Sequence, residues 1–291
     1  MATSSSHPTR SISLPARSHP TSLKIEETIQ KLKSRDVCLS NSAFESIQLG
    51  LLNLVELYSR VQEITLSASN QQVNLVEDAL ESSVLLLDTC SNARDLIIGF
   101  REQVCDLQSA LRRKAYANIE TDVSVYASFR KKLAKNVGRC LKVLKEAEAK
   151  YEKNDAPLLD IEPSIMSLIR EVYAITIVVF KSLFSFLSTP TKASKWSLIS
   201  RFVTKTSTAR LVVGHKQAAS AGKEVGREGL NEVSKVDLAL QNDTNVDVML
   251  VRARIQALDS SLEIFEGEIG CLYRCLLQNR VSLLNILTPL V

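Results

Sequence analysis

Apolar residues recur every three or four positions through most of this chain, which is the spacing that places them on one side of an α-helix. The longest uninterrupted pattern covers residues 75–114, which contain no proline and a single glycine. A helix of that length measures about 60 Å, so it must pack against other long helices. Its predicted core stripe is Val76, Leu80, Val84, Leu87, Cys90, Ala93, Ile97, Phe100, Val104, Leu107 and Leu111.

The same periodicity predicts further helices on both sides of this long one. A short helix is predicted over residues 21–32, a second after the capping residues 40–42, and others over 119–153, 165–187 and 246–287. In the last of these, apolar residues alternate at spacings of four and three, as in a coiled-coil seam. The members of this seam are Val251, Ile255, Leu258, Leu262, Phe265, Ile269, Leu272 and Leu276.

Together these elements predict an all-α protein. A disordered tail is expected over residues 1–22, because this stretch is rich in Ser and Pro and has too few apolar side chains to bury. One elongated bundle of about five or six long helices follows over 23–291, with a basic loop at about 188–230. The apolar stretch 165–187 is interpreted as a central bundle helix rather than a membrane span, since charged residues interrupt it.

The distribution of charge adds a binding surface to this picture. The net charge of +4 is too small to imply nucleic acid, but it is unevenly placed. Residues 172–223 contain eight basic residues and no acidic one, whereas residues 224–291 contain ten acidic and six basic residues. Such asymmetry predicts a basic surface for an acidic partner, or attraction between these two stretches.

A stripe of basic residues lies opposite the apolar side of the helix predicted over 119–153. At 100° per residue it is about 120° wide, and no acid lies between Val123 and Lys145. Such a helix binds anionic membranes or acidic proteins. The simpler interpretation, which the pattern favours, is the solvated face of a bundle helix. The residues of this basic face are Lys131, Lys135, Arg139, Lys142 and Lys145.

A second candidate binding motif lies in the tail. Residues 10–15, RSISLP, have the Arg-Ser-x-Ser-x-Pro form that 14-3-3 proteins bind when the second serine, Ser13, is phosphorylated. The added negative charge is then captured by a cluster of arginines. The alternative is an unmodified linker. An acid-free, Ser-rich start is also typical of organelle transit peptides, although no amphipathic helix is evident here.

Reactive chemistry is not indicated. The three histidines are His7, His19 and His215, so a catalytic triad or a His-rich metal site lacks its residues. The six cysteines stand mostly at apolar helical positions, which predicts reduced core thiols. Cys271 and Cys275 are one helical turn apart, but no second pair completes a zinc site. We therefore predict no enzymatic activity, no cofactor and no metal.

Several motifs together resemble a known family. They are residues 10–20 (RSISLPARSHP), 85–90 (LLLDTC), 107–113 (LQSALRR), 196–199 (WSLI) and 280–287 (RVSLLNIL). Over nearly its whole length the chain is similar to a plant-specific family of helical proteins, domain of unknown function 241, grouped with the BYPASS-type proteins. The resemblance implies an intracellular helical protein without known enzymatic activity, tied to root and shoot development through control of a mobile signal. It supplies no catalytic residues.

The predicted function is that of a non-enzymatic interaction or regulatory protein, cytoplasmic and acting in plant root and shoot development. Its partners are expected to be proteins, with a 14-3-3 protein at phosphorylated Ser13 as one candidate, and no nucleic acid is expected. The alternative is a peripheral membrane protein that uses basic residues 130–145 and 192–210 on an anionic surface.

Overall fold

The computed structural model describes residues 20–35, 42–67, 73–113, 120–153, 165–189, 230–241 and 248–287. Within these ranges all regular structure is α-helical, which confirms the predicted fold class. The helices, in chain order, are α1 (Pro20–Arg35), α2 (Ala43–Ser67), α3 (Val73–Arg113), α4 (Glu120–Lys153), α5 (Ile165–Ser188), α6 (Glu232–Gln241) and α7 (Val248–Leu287).

The predicted helices are all present, with boundaries that differ by at most three residues. Helix α1 begins at Pro20, inside the stretch predicted as tail. Ser42 caps α2 as expected: its hydroxyl accepts from the backbone N–H of Glu45 at 3.3 Å, and the Glu45 carboxylate accepts from the Ser42 N–H at 3.2 Å. The described part of the chain has seven helices, more than the predicted five or six, because α6 was not predicted.

Helices α3 and α7 form the long axis of the bundle and pack along each other, while α2 covers α7 from another side. The predicted seam of α7 is confirmed as core, because every member from Val251 to Leu276 is buried. The seam also continues to Asn279, whose side chain is only 6% exposed. The Asn279 amide donates to the backbone carbonyls of Tyr58 at 2.7 Å and Cys275 at 2.9 Å, which fixes the register of α7 against α2.

The predicted core stripe of α3 is correct from Cys90 onward and wrong in part before it. Val84 is 43% exposed and Leu87 is half-buried, whereas Leu86, which was not predicted, is 2% exposed. Two helical rows fit the sequence before Cys90, since positions 83 and 86 continue the 3.6-residue period as well as 84 and 87 do. The structure buries the first of these rows.

Helix α5 is the most apolar helix and lies between α2 and α4. Its buried side chains include Phe180, Leu183 and Phe184. The hydroxyls of Thr176 and of Tyr58 in α2 are hydrogen-bonded to each other at 2.9 Å. By length and composition alone, Ser167–Ser188 could cross a membrane, and 56% of its most apolar window is buried inside the bundle. In this structure, therefore, α5 packs as a core helix.

The prediction that the cysteines are reduced core thiols agrees with the structure in part, since the five described cysteines are free thiols but differ in burial. Cys90 is buried, and burial raises the pKa of its thiol to about 12, so this thiol stays protonated at neutral pH. Cys105, however, is exposed, while Cys140, Cys271 and Cys275 are half-buried. Of these, Cys140 and Cys275 pack against the core, and Cys38 lies outside the described residues.

Candidate functional site

The basic face of α4 is positioned by the apolar side of the same helix. Tyr126, Leu133, Val137 and Leu144 are buried against the bundle, as the sequence predicted. Since these residues recur at spacings of four or seven, they fix the rotation of α4 about its axis. The opposite side of the helix is therefore turned to solvent.

All five residues of the basic face are exposed, and Lys132 beside them is exposed as well. Residues 131–145 cover about 21 Å along the helix. Lys142 lies 3.7 Å from Glu146 in an exposed pair. Within the described residues, Lys135, Arg139 and Lys145 have no ion-pair partner, so their charges remain available to an external group.

Two exposed valines border the basic face on one side. Val125 is 54% exposed and Val143 is 45% exposed, and they are separated by five full helical turns. The surface of α4 thus combines a row of cations with a small amount of apolar area. This combination suits either an acidic protein surface or the headgroup region of an anionic membrane.

The opposite side of α4 carries a positive charge that is used differently. Arg130 is 6% exposed and donates to the Asp237 carboxylate of α6, from Nε at 3.3 Å and from Nη2 at 3.2 Å. Its guanidinium also donates to the carbonyls of Leu187 and Thr189 at the end of α5, and lies 5.1 Å from the ring centroid of Phe100. Arg130 therefore joins α3, α4, α5 and α6.

Tyr126 completes this buried cluster. Its hydroxyl donates to the second oxygen of Asp237 at 2.8 Å. Burial, and to a lesser extent the nearby Asp237 carboxylate, raises the pKa of Tyr126 well above its usual value. The phenol therefore stays protonated and remains a donor to Asp237 at physiological pH.

Asn231 caps α6 and ties it to the end of α5. Its amide donates to the Phe186 carbonyl at 3.0 Å and to the Thr189 hydroxyl at 2.8 Å, while its oxygen accepts from the Ser234 N–H at 2.9 Å. The sequence pattern did not predict this cluster. The membrane alternative included Arg130 in its basic range 130–145, but Arg130 is buried and so is not available to a membrane. In the sequence, a rotation of 100° about the helix axis separates it from Lys131.

Two other predicted binding elements lie outside the described residues. They are Ser13, the predicted 14-3-3 docking residue, and the basic stretch 192–210. Binding of a 14-3-3 protein at phosphorylated Ser13 stays a prediction. Across the described helices, no group of three or more His, Cys, Asp or Glu side chains is placed to hold a metal ion.

Comparison with known proteins supports the resemblance found in the sequence. A family model described as Protein BPS1 matches residues 50–286 of the chain. The matched range contains the basic face and the Arg130 cluster, whereas the motif at residues 10–20 precedes it. No curated protein and no solved structure matches the chain.

Proposed function

Because this chain belongs to the BPS1 family, we propose that it is a non-enzymatic regulatory protein that acts in plant root and shoot development by binding a partner protein. BPS1 is not a known enzyme family, which agrees with the lack of catalytic motifs in the sequence. The predicted location is the cytoplasm, since the resemblance implies an intracellular protein.

The observation that carries the binding part of this proposal is the basic face of α4. Five exposed cations lie within about 21 Å on a helix whose other side is held rigidly in the bundle. Three of them, Lys135, Arg139 and Lys145, have no ion-pair partner among the described residues, and such exposed charges contribute little to stability. They favour and orient association with a surface of opposite charge. The partner should therefore present an acidic surface.

The test compares capture of partners from plant root and shoot extract by two variants of equal net charge. In the first, all five residues of the basic face are changed to Gln. In the matched control, five exposed cations elsewhere are changed to Gln: Lys24, Lys31, Arg94, Arg112 and Arg113. Quantitative mass spectrometry should show that the control retains the wild-type partners and the first variant loses them. Equal retention by both variants would reject the basic face as the binding surface.

Peripheral binding to an anionic membrane is the second candidate, favoured by the exposed Val125 and Val143 beside the cations. A basic residue near an anionic surface contributes about 1 kcal/mol, so the five together would hold the bundle at a membrane without a spanning helix. Sedimentation with phosphatidylserine vesicles tests this candidate. Salt-sensitive binding of the wild type that is lost in the basic-face variant would favour it over a protein partner. Wild type that stays in the supernatant at low salt would reject it.

A further inference from the structure

A row of acidic residues lies on the outer side of α3, next to α4. Asp88, Asp95, Glu102 and Asp106 are all exposed, and within the described residues none of them has an ion-pair partner. They form the acidic face of α3. Arg101 binds Asp259 and Glu266 of α7. The exposed Arg94 lies two helical turns before Arg101 and therefore on the same side of α3, toward α7 and outside the acidic face.

The acidic face and the basic face have the same repeat along their helices. Asp88, Asp95 and Glu102 are seven residues apart, and so are Lys135 and Lys142. Seven residues are two helical turns, about 10.5 Å. Two such helices laid against each other would therefore bring opposite charges together at every second turn.

The two helices also have a fixed register within one molecule. They run antiparallel, since Lys150 of α4 binds Glu81 of α3 at 2.7 Å and the rings of Phe129 and Phe100 lie 5.7 Å apart. Interpolating between these contacts places Asp88 level with Lys142 and Asp95 level with Lys135, each to within one helical turn.

This register has a consequence for two copies of the chain. Two copies can be related by a two-fold axis that runs parallel to the helices and lies outside the exposed surface of α3 and α4. This symmetry places α3 of one copy against α4 of the other, and each residue keeps its position along the helix direction. The acidic face of each copy then lies opposite the basic face of the other copy. Acids and bases that are level with each other within one molecule therefore come to face each other between the two molecules. A two-fold axis perpendicular to the helices would instead lay acids on acids and bases on bases, which is repulsive.

We infer that the α3–α4 surface is a self-association surface, on which the acidic face of one copy binds the basic face of a second copy and the reverse contact forms by symmetry. This inference rests on the proposed function, in which the basic face binds an acidic surface, and it identifies that surface as the acidic face of α3. The contact forms between exposed charges, so it is a salt-dependent association and not a permanent interface.

The first experiment is sedimentation equilibrium of the purified full chain over a range of salt concentrations. The dimer should dissociate at least about tenfold more readily in 0.5 M than in 0.05 M salt, because the screening length falls below 10 Å above about 0.1 M. Wild type that is monomeric at the lower salt and at about 100 µM protein would overturn the inference. If that monomer nevertheless binds anionic vesicles, lipid is the partner of the basic face instead.

Charge reversal then tests which surface is used. One variant carries Lys135→Glu, Arg139→Glu and Lys142→Glu, and the other carries Asp88→Lys, Asp95→Lys and Glu102→Lys. Each variant alone should be monomeric because both of its faces then have the same sign. An equimolar mixture should form a heterodimer, since the matched positions 88 with 142 and 95 with 135 again carry opposite charges.

The control reverses two exposed cations on other helices, Lys24→Glu and Arg274→Glu, and should dimerise like wild type. Circular dichroism of each variant excludes misfolding, and the heterodimer itself shows that both variants are folded. Dimers that survive both reversals, or a mixture that stays monomeric, would overturn the inference. If wild type is monomeric but captures an acidic partner from extract, the self-association inference is rejected and the proposed function is retained.

Discussion

Helix α4 uses positive charge in two ways on its two sides. On the inner side, Arg130 is buried, bound to Asp237 of α6 and in contact with α3 and α5. On the outer side, the basic face is exposed, and its central residues Lys135 and Arg139 have no partner among the described residues. Arg130 and Lys131, which lie on different sides of the helix, are adjacent in sequence.

This comparison separates charges that hold the fold from charges that remain free to bind. Removing one partner of a buried ion pair leaves the other charge without compensation in a medium of low polarity, which is strongly destabilising. Neutralising an exposed charge changes little in the folded protein. Substitutions on the two sides of α4 should therefore affect different measurements.

The largest expected effect is on the inner side. Arg130→Met removes the cation but keeps most of the side-chain volume, and leaves Asp237, whose side chain is 13% exposed, with Tyr126 as its remaining hydrogen-bond donor among the described residues. The free energy of unfolding, measured with urea, should fall by about 3–5 kcal/mol. The double variant Arg130→Met with Asp237→Leu should recover a large part of this loss. A loss below about 1 kcal/mol in the single variant would show that the cluster does not hold α6.

The next effect concerns apolar burial on α3. Ile97 is fully buried, so Ile97→Ala should lower the free energy of unfolding by about 2–5 kcal/mol. Leu87 is only half-buried, so Leu87→Ala should cost less than Ile97→Ala. Denaturation of the two variants side by side measures the difference. Equal losses would mean that the row containing Leu87, and not that containing Leu86, faces the core.

The smallest effect is expected on the outer side. Changing all five residues of the basic face to Gln should alter the free energy of unfolding by no more than about 0.5 kcal/mol per residue, in either direction. The thermal midpoint, measured by calorimetry beside that of Arg130→Met, checks this. A loss as large as that of Arg130→Met would give the basic face a structural role and remove the contrast between the two sides.

Residues that obey one periodicity could be predicted from sequence. Leu258 and Leu272 stand at alternating spacings of four and three, and this pattern alone placed them in the core of α7. The pattern failed where a polar residue takes an apolar position. Asn279 stands at the next position of the same row, but its burial depends on the carbonyl of Tyr58, which is distant in sequence.

The site was predictable on its exposed side and not on its buried side. Lys135 and Lys142 are solvated wherever the apolar side of α4 is buried, so the period of α4 was enough to find them. Arg130 is stable inside only because Asp237 lies opposite, and Asp237 belongs to α6, a ten-residue helix too short to give a clear period. Likewise, the match between Asp95 and Lys135 requires the register of the α3–α4 hairpin.

Lysine labelling can show whether the basic face of α4 is a binding surface. The tagged protein is acylated in plant extract at low salt and in buffer at 0.5 M salt, and the modification of each lysine is measured by mass spectrometry. A binding surface on this face predicts that Lys135 and Lys142 are protected in the extract, while the exposed Lys24 and Lys31 of α1 react equally in both conditions. Equal reactivity of Lys135 and Lys142 in the two conditions, or equal protection of all four lysines, would contradict it.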